Sequence, residues 1–176
     1  LSQQGPIKEV RELIEQAIID TRSLTFELSP PVLYELGLVP ALEWLTRRIQ
    51  EDHGIQTKFH DDGQPKPLDE NFRVVLFQAV RELLVNVVKH ARATHARVLL
   101  RREADALRII IEDDGVGFNV SDVAAKPETI RTFGLFNIRE RIEYLGGRMK
   151  IRSRPGSGTR VTLMAPLRME EQSRSK

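Results

Sequence analysis

The chain has 176 residues, enough for one domain of ordinary size plus an appendage, and its 40% hydrophobic content is sufficient for a real core. Lysine and arginine (27) barely exceed aspartate and glutamate (25) and are spread along the chain, so the formal net charge of +2 does not favour nucleic acid as a partner. The absence of cysteine excludes disulfides, thiolate metal sites and cysteine nucleophiles, which is compatible with the cytoplasm, and no apolar run approaches the ~20 residues of a membrane span.

The first predicted element is a helix from Ile7 to Leu28 with an apolar seam. Apolar or small residues recur at alternating spacings of three and four: Ile7, Val10, Ile14, Ala17, Thr21, Leu24 and Leu28. This pattern is typical of a helix that pairs with another helix, although a lone amphipathic helix packed on its own domain would show it too. Ser29-Pro30-Pro31 ends the helix, because the residue before a proline is pushed out of the helical region. Since the chain begins at Leu1 in mid-pattern, we expect it to be part of a longer protein.

The rest of the chain predicts a two-layer α/β sandwich. Helices are expected from about Val39 to Asp52, from Leu68 to about Ala91 and from about Leu135 to Leu145. Strands are expected in five segments: Ile55–His60, His95–Arg102, Ala106–Glu112, Arg148–Ser153 and Thr159–Ala165. Three of the strands alternate apolar and polar residues cleanly, and a sheet with one apolar face needs helices to cover that face.

Polar residues interrupt the apolar run of the long predicted helix at spacings of four, four and three: Gln78, Glu82, Asn86 and Lys89. They share one helical face, and solvent exposure explains Gln78 and Lys89 at least as well as function does. Asn86 is a mediocre helix former among valines and leucines, and with Glu82 one turn earlier it offers two kinds of oxygen to one point. Hard, partly hydrated cations such as Mg²⁺ prefer such oxygens, so a metal or phosphate role is one hypothesis. The neighbouring His90 could equally be a buried histidine.

The segment Ile109–Phe118 reads IIIEDDGVGF, an apolar strand that runs into three carboxylates and two glycines. A strand that ends in an Asp-Gly turn is the simplest explanation. The spacing Asp113-x-Gly115-x-Gly117 also suits a ligand, since a carboxylate at a strand end can accept a hydrogen bond from an exocyclic amine and glycines let the backbone approach a flat ring. Two glycine sites follow: Gly134, just before a predicted helix whose first amides could receive phosphate, and Gly156-Ser157-Gly158-Thr159 before the last strand.

In this order the motifs resemble the ATP-binding catalytic domain of sensor histidine kinases, in the GHKL ATPase superfamily, over almost the whole chain. The stretch Glu82–Ala91 (ELLVNVVKHA) resembles the family's asparagine motif. Asp113–Phe118 (DDGVGF), Gly134–Arg141 (GLFNIRER) and Gly156–Thr159 (GSGT) resemble its three glycine motifs. Leu28–Leu38 (LSPPVLYELGL) is similar to the linker of the subgroup that feeds helix-turn-helix response regulators.

The resemblance implies a triphosphate and Mg²⁺ at the asparagine motif. Asn86 is expected to ligate Mg²⁺, with Glu82 supporting it through water or acting as a base. Lys89 and His90 are expected to contact phosphates. Arg139 could also reach phosphate, although an arginine on a helix surface is the commoner case.

The resemblance also implies an adenine site and a lid. Asp113 is expected to accept a hydrogen bond from the adenine amino group, with a water held by Thr159. Gly115 and Gly117 are expected to let the lid hinge, and residues Asn119–Phe133 are expected to form it. The remaining implied nucleotide-site residues lie in the second and third glycine motifs: Gly134, Leu135 and Gly158.

The same resemblance implies the organisation and partners of the chain. Residues 1–29 would be the second helix of a dimerisation and phosphotransfer hairpin, 30–38 a linker, 39–168 the ATP-binding domain with a mixed, largely antiparallel sheet, and 169–176 a polar tail. The expected partners are ATP, a cognate response regulator and a second copy of the protein through the hairpin helix. No nucleic acid and no membrane contact is expected for this chain, and its expected location is the cytoplasm.

One departure from the family pattern limits the expected activity. The family transfers the γ-phosphoryl group to a histidine on the first hairpin helix, but Ile7–Leu28 contains no histidine. All four histidines, at positions 53, 60, 90 and 95, follow the linker. We therefore expect the chain to bind ATP and Mg²⁺ without phosphorylating itself. The alternatives are a GHKL ATPase or anti-sigma-type serine kinase, and a degenerate scaffold that is insensitive to nucleotide.

Overall fold

The structure is a computed structural model that describes residues 30–121 and 130–167, with the backbone alone for residues 130–133. The helices are α1 Pro31–Glu35, α2 Leu38–His53, α3 Glu70–Asn86 and α4 Ile130–Tyr144, and a π-helical turn, Val87–Ala91, continues α3. The strands are β1 Gln56–Asp61, β2 His95–Glu103, β3 Ala106–Asp113, β4 Arg148–Ser153 and β5 Thr159–Pro166. The predicted helix Ile7–Leu28, the middle of the predicted lid and the predicted polar tail lie outside the described residues.

The five strands form one mixed sheet in the order β1-β2-β3-β5-β4. Strands β1 and β2 run parallel, and the other three neighbouring pairs are antiparallel. The central strand β3 is buried on the side that carries Leu107, Ile109 and Ile111. The predicted mixed, largely antiparallel sheet is thus confirmed.

Helices cover one face of this sheet. Helix α3 lies in the middle of the layer and packs against α2 and α4. The largest buried side chains of the layer join the sheet in one apolar core: Leu42, Leu76, Phe77, Leu84, Ile138 and Ile142. On the opposite face of the sheet the side chains of β2, β3 and β5 are exposed or half-buried. The predicted two-layer α/β sandwich is confirmed.

Local signals fix the ends of the first long helices. Gly54 ends α2 in the left-handed conformation, with φ of 70° and a hydrogen bond of 2.9 Å from its N–H to the Gln50 carbonyl. Asp69 caps α3, because its side chain accepts a hydrogen bond of 2.8 Å from the Asn71 N–H. The predicted linker is not extended throughout, since Pro31–Glu35 forms a short helix whose Leu33 side chain is buried in the core.

Two predicted helices have different bounds in the structure. The helix predicted from Leu68 to Ala91 is α-helical only to Asn86, because the following π-helical turn packs into a small apolar cluster with Ile55 and Ala96. The helix predicted to start at Leu135 begins at Ile130. A glycine inside a helix costs only about 1 kcal/mol, so Gly134 does not stop it.

A buried ammonium group fixes the segment between β1 and α3. The Lys66 side chain is 4% exposed, and its Nζ lies 2.6 Å from Asp61 Oδ1 and 2.5 Å from Asp62 Oδ1. The hydrogen bond from Lys66 is the main cause that lowers the pKa of Asp62 to about 2. Burial opposes this shift, and hydrogen bonds from the N–H groups of Arg102 and Gln64 add to it. Burial alone lowers the pKa of Lys66, but the two carboxylates outweigh it and raise that pKa.

None of the helices in residues 30–121 and 130–167 is long and apolar enough to cross a membrane.

Candidate functional site

A small cavity lies between α3 and the ends of β3 and β5. Its polar lining comes from three separate elements: Asn86 at the end of α3, Asp113 at the end of β3 and Thr159 at the start of β5. The rest of the lining is mainly apolar: Leu83, Val87, Ala91, Ile111, Phe118, Leu135 and Val161. The cavity therefore brings together residues predicted from three motifs that are far apart in the sequence.

The cavity is small in this structure. Its volume is about 30 Å³, which is close to the share of liquid volume that one water molecule occupies. Leu135 is 6% exposed, and Phe118 packs against the core beside it. A planar ring of the size of a purine can enter only if side chains such as these move apart.

Asp113 is held at the cavity by its own turn. Its Oδ1 accepts a hydrogen bond of 2.9 Å from the Gly115 N–H, and its partner across the sheet is Thr159. The register of two antiparallel strands therefore sets the carboxylate and the hydroxyl side by side. This is the pairing that the two motifs predicted.

The neighbouring Asp114 has a different role. Its carboxylate accepts hydrogen bonds from the backbone N–H groups of Thr94 and His95 at 2.8 and 2.9 Å and from the Thr94 hydroxyl at 2.7 Å. The pKa of Asp114 is held far below its usual range by hydrogen bonds from the His95 N–H, the Thr94 hydroxyl and the His95 ring. Together these hydrogen bonds outweigh desolvation, which raises the pKa. Asp114 therefore fixes the loop before β2, whereas the ligand role predicted from the sequence was assigned to Asp113.

Ser153 is a site residue that the sequence analysis missed. Its hydroxyl oxygen accepts a hydrogen bond of 2.9 Å from the Phe118 N–H, lies 2.9 Å from the Gly158 carbonyl as a donor, and lies 3.0 Å from the Thr159 hydroxyl. It thereby connects the loop after β3 with the start of β5. The available signal was a small polar residue at the end of β4, on the face where Met149 and Ile151 pack inward.

The glycines of two motifs let backbone segments approach each other. A Cβ at Gly117 would lie 2.0 Å from the Arg154 carbonyl oxygen, and one at Gly158 would lie 2.0 Å from the Asp113 carbonyl oxygen. A Cβ at Gly115 would lie 2.3 Å from the Ala91 carbonyl oxygen. Gly117 and Gly158 also have positive φ angles, of 60° and 68°. The space that we expected a ligand ring to use is filled by the chain's own backbone at these three positions.

The Glu82 carboxylate, on α3, is held by a side chain of α4. Arg141 donates a hydrogen bond of 3.0 Å to Glu82 Oε2, and it lies 3.4 Å from Gln78 Oε1. A Cβ at Gly134 would lie 2.7 Å from Glu82 Oε1, so the glycine makes room for the carboxylate. The polar stripe of α3 therefore faces α4 as well as solvent.

The prediction that α4 offers its first amides at Gly134 is wrong for this structure. Gly134 is the fifth residue of a helix that begins at Ile130, so the four unpaired amides of the first turn belong to residues 130–133. The physical reason is that the sequence places no stop before Gly134. Gly134 still lies beside the site, because it contacts Glu82.

Asn86 is the cavity residue whose hydrogen bonding is incomplete. Within the described chain, its Nδ2 atom is buried and has no hydrogen-bond partner. An unpaired buried amide is costly, and such groups call for a ligand, an ion or a water. Its position one turn after Glu82 leaves an amide and a carboxylate on the same side of α3.

The donors at α3 fit a Mg²⁺ ion that is bound mainly by substrate and water. No group of three or more His, Cys, Asp or Glu side chains that could hold a metal occurs among the described residues. Mg²⁺ commonly uses one or two protein oxygens together with substrate phosphates and waters, which Glu82 and Asn86 can satisfy. The chemistry of this donor set therefore suits Mg²⁺ only together with a phosphate ligand.

The predicted phosphate contacts Lys89 and His90 lie on the π-helical turn, and both are exposed. Single π-helical turns are frequent at functional sites, because the wider turn re-aims the side chains that follow it. The Ala91 carbonyl at the end of this turn accepts a hydrogen bond of 2.8 Å from the Val116 N–H, which ties the turn to the loop after β3. Arg139 is an exposed side chain of α4.

Comparisons with known proteins show which chains this one is similar to. Residues 72–169 match the model of the family of histidine kinase-, DNA gyrase B- and HSP90-like ATPases. The chain is 31% identical over 165 residues to the signal transduction histidine-protein kinase/phosphatase DegS of Brevibacillus brevis, covering 94% of this chain and 42% of DegS. It is 35% identical over 176 residues to an uncharacterized sensor-like histidine kinase of Chloroflexus aurantiacus, covering 95% and 30% of the two chains.

Among solved structures, the blue-light activated histidine kinase of Erythrobacter litoralis EL346 has a TM-score of 0.66 at 22% identity, covering 86% of this chain and 50% of that chain. This likeness supports the α/β fold. The chain spans less than half the length of the two curated relatives.

Proposed function

Because this chain belongs to the family of histidine kinase-, DNA gyrase B- and HSP90-like ATPases, as a catalytic domain of the sensor histidine kinase type, we propose that its small cavity is the adenine end of an ATP site. One observation carries the proposal: Asn86, Asp113 and Thr159, from three separate elements, line a single cavity with an otherwise mainly apolar wall. An apolar slot with a few convergent polar groups is the usual form of a site for a flat heterocycle.

In this proposal Asp113 recognises the base. Its carboxylate accepts a hydrogen bond from the adenine amino group, and the hydroxyls of Thr159 and Ser153 hold a water or a ring nitrogen beside it. Leu135 and Phe118 separate to admit the ring, because the cavity of about 30 Å³ is too small for it. A base without an amino group would not form this hydrogen bond with the carboxylate in the apolar slot, which is the physical basis of selectivity for adenine.

The triphosphate extends from this cavity along the end of α3. Asn86 and Glu82 would hold Mg²⁺, which supplies neutralisation of the charge on the phosphate oxygens when it is bound. The exposed ammonium of Lys89 and the ring of His90 contact the phosphates from the π-helical turn. Glu82 keeps its bond to Arg141 in this structure, so we propose that a base or water-holding role for Glu82 requires that ion pair to open.

The reaction we propose is transfer of the γ-phosphoryl group of ATP to a ring nitrogen of a protein histidine, with release of ADP. The accepting histidine is none of the four in this chain, which lie at positions 53, 60, 90 and 95. Relay to an aspartate of a response regulator, of the helix-turn-helix subgroup, would follow. Dimerisation through Ile7–Leu28 and a cytoplasmic location belong to the same proposal.

The test is isothermal titration with a non-hydrolysable ATP analogue, with and without Mg²⁺. Asp113→Asn should weaken binding by about 1.5–3 kcal/mol, or about 10- to 150-fold, because it removes a charged acceptor from a hydrogen bond in a dry slot. Asp105→Asn, the same change in the exposed turn between β2 and β3, is the matched control and should leave the affinity unchanged.

Two results would contradict the proposal. Equal affinity for wild type and Asp113→Asn would remove the carboxylate from base recognition. Absence of binding by folded wild type would favour the nucleotide-insensitive scaffold instead. Steady ATP hydrolysis or phosphoserine on a partner would point to the ATPase or serine kinase.

A further inference from the structure

The open face of the sheet carries basic side chains in ordered rows. Strand register sets one row across all five strands, in the order Lys58, Arg97, Glu112, Arg160 and Arg152. Glu112 forms ion pairs with both Arg97 and Arg160, and its side chain is 12% exposed. Its charge is therefore covered by two arginines that remain about half exposed.

The next two rows combine apolar and basic side chains. Leu99 and Ile110 face each other across β2 and β3, and Lys150 ends their row on β4. In the row beyond, Arg101 and Arg108 oppose each other, and Met164 opposes Arg148 at the far side. The half-buried Leu99, Ile110 and Met164 thus form a short apolar strip that extends from the second row into the third.

Positive charge is concentrated on this face. It carries eight lysines and arginines against two glutamates, Glu112 and Glu103, a formal excess of six positive charges. The whole chain has a formal charge of only +2, so the remainder of the chain is negative by four. Five of the basic side chains form no ion pair within the described part of the chain: Lys58, Arg101, Arg148, Lys150 and Arg152.

A groove of about 890 Å³ lies at one end of this face. It is lined by the first row together with Val120 and Arg154, and it shares Asp113 and Thr159 with the small cavity of the candidate site. A row across five strands, with four spacings of ~4.8 Å, is about 19 Å long. A helix of about 14 residues, about 21 Å long, matches that length.

We infer that this basic sheet face docks an acidic amphipathic helix of a partner protein. The apolar side of the helix packs on Leu99, Ile110 and Met164, and its flanking carboxylates pair with the unpaired basic side chains on either side. Arginine, the commoner basic residue here, pairs bidentately with carboxylates. An apolar centre within a polar rim is the usual anatomy of a protein interface.

Other occupants fit this face less well. No Phe, Tyr or Trp occupies an open-face position on the five described strands, so stacking of unpaired bases has no platform. Duplex DNA gains nothing from the apolar strip, because its phosphates pair only with the basic side chains. A second copy of this face would meet it with like charge. Leu99, Ile110 and Met164 do not line the ATP cavity, whereas the groove beside the first row shares Asp113 and Thr159 with it.

The test uses a fluorescent synthetic helix of about 14 residues with leucines on one side and flanking glutamates, and it measures anisotropy with the full chain. Lys150→Glu with Arg152→Glu, on the edge strand β4, should weaken binding at least about tenfold, since reversing charge at a contact both removes attraction and adds repulsion. Arg47→Glu with Arg48→Glu makes the same charge change on exposed positions of α2 and should change binding less than about twofold. Urea unfolding followed by circular dichroism reports that both double variants remain folded.

Further probes decide the kind of partner. A peptide of equal charge with glutamines in place of leucines should bind at least about tenfold more weakly if the apolar strip is used. Equal binding of both peptides, or equal loss in both double variants, would overturn the inference. Tighter binding of a short DNA duplex or of phosphatidylserine vesicles than of the acidic helix would also overturn it, in favour of that polyanion.

Discussion

Replacing Gly158 with alanine tests whether two loops of the candidate site are held together by backbone contact. Gly158 has a φ of 68°, and an added Cβ would lie 2.0 Å from the Asp113 carbonyl oxygen. The Gly158 N–H also donates a hydrogen bond of 2.9 Å to the Gly115 carbonyl. Relieving the clash requires a shift of about 1 Å or more, which breaks that bond and displaces Asp113.

The expected cost can be worked from these contacts, and a neighbouring glycine provides the control. An alanine in the left-handed region costs about 1–2 kcal/mol, and a lost hydrogen bond costs about 0.5–1.5 kcal/mol. Gly158→Ala should therefore destabilise the chain by about 1.5–3.5 kcal/mol. Gly156 has a φ of 77° with no atom within 4 Å of an added Cβ, so Gly156→Ala should cost only the backbone term, about 1–2 kcal/mol.

Urea unfolding of both variants, followed by circular dichroism, measures the difference. Gly158→Ala should also weaken binding of the ATP analogue, because the shift moves Asp113, whereas Gly156→Ala should not. Equal destabilisation of the two variants, within about 0.5 kcal/mol, would refute the reasoning that the Asp113 carbonyl occupies the space of a side chain.

Three further predictions follow from other features. Ser153→Ala should lower the unfolding free energy by about 1–2 kcal/mol and weaken binding of the ATP analogue, because the hydrogen bond from the Phe118 N–H to Ser153 is lost. An unchanged free energy in urea unfolding and an unchanged affinity in calorimetry would contradict this. Asp62→Asn should destabilise the chain at neutral pH, because the charged form of Asp62 is the stabilising one and its pKa is lowered to about 2 in the folded state. The difference in unfolding free energy from wild type should shrink as the pH falls from about 4 towards about 2. A pH-independent difference in urea unfolding would refute this, with Asp105→Asn as the control. The purified chain incubated with ATP and Mg²⁺ should form no acid-labile phosphohistidine, since Ile7–Leu28 contains no histidine, and an acid-labile ³²P signal on the chain would contradict that expectation.

Elements with strong periodic patterns were predicted well from the sequence. The alternation along β3 and β5 and the Gly54 stop of α2 depend on local physical preferences, so their positions agree within a residue or two. The start of α4 was missed because a helix tolerates Gly134 at little cost. The π-helical turn Val87–Ala91 was missed because it arises from packing against β1 and β2, which no local pattern encodes.

The candidate site was predictable where residue type alone restricts the chemistry. Asn86 and Asp113 were singled out from the sequence because an asparagine among valines and a carboxylate at a strand end are unusual, and both line one cavity. The role of Ser153 depends on three tertiary hydrogen bonds, which a small polar residue at the end of a strand does not by itself predict. The role of Arg141 depends on the contact between α3 and α4. The basic sheet face was hidden for a related reason. Its charges alternate with core residues on five strands and gather only when the strands pair.

Because the cavity between α3 and β5 is small, the apparent affinity of a ligand includes the free-energy cost of opening the cavity. If the ring-accepting arrangement is a minor population, the apparent dissociation constant equals the intrinsic one divided by the fraction of molecules that are open. Every ligand for this cavity then shares the same free-energy cost of separating Phe118 from Leu135, whatever contacts it makes afterwards. A fragment screen against the closed form would undervalue the site, and a smaller side chain at position 135 would raise the affinity of all purine ligands together.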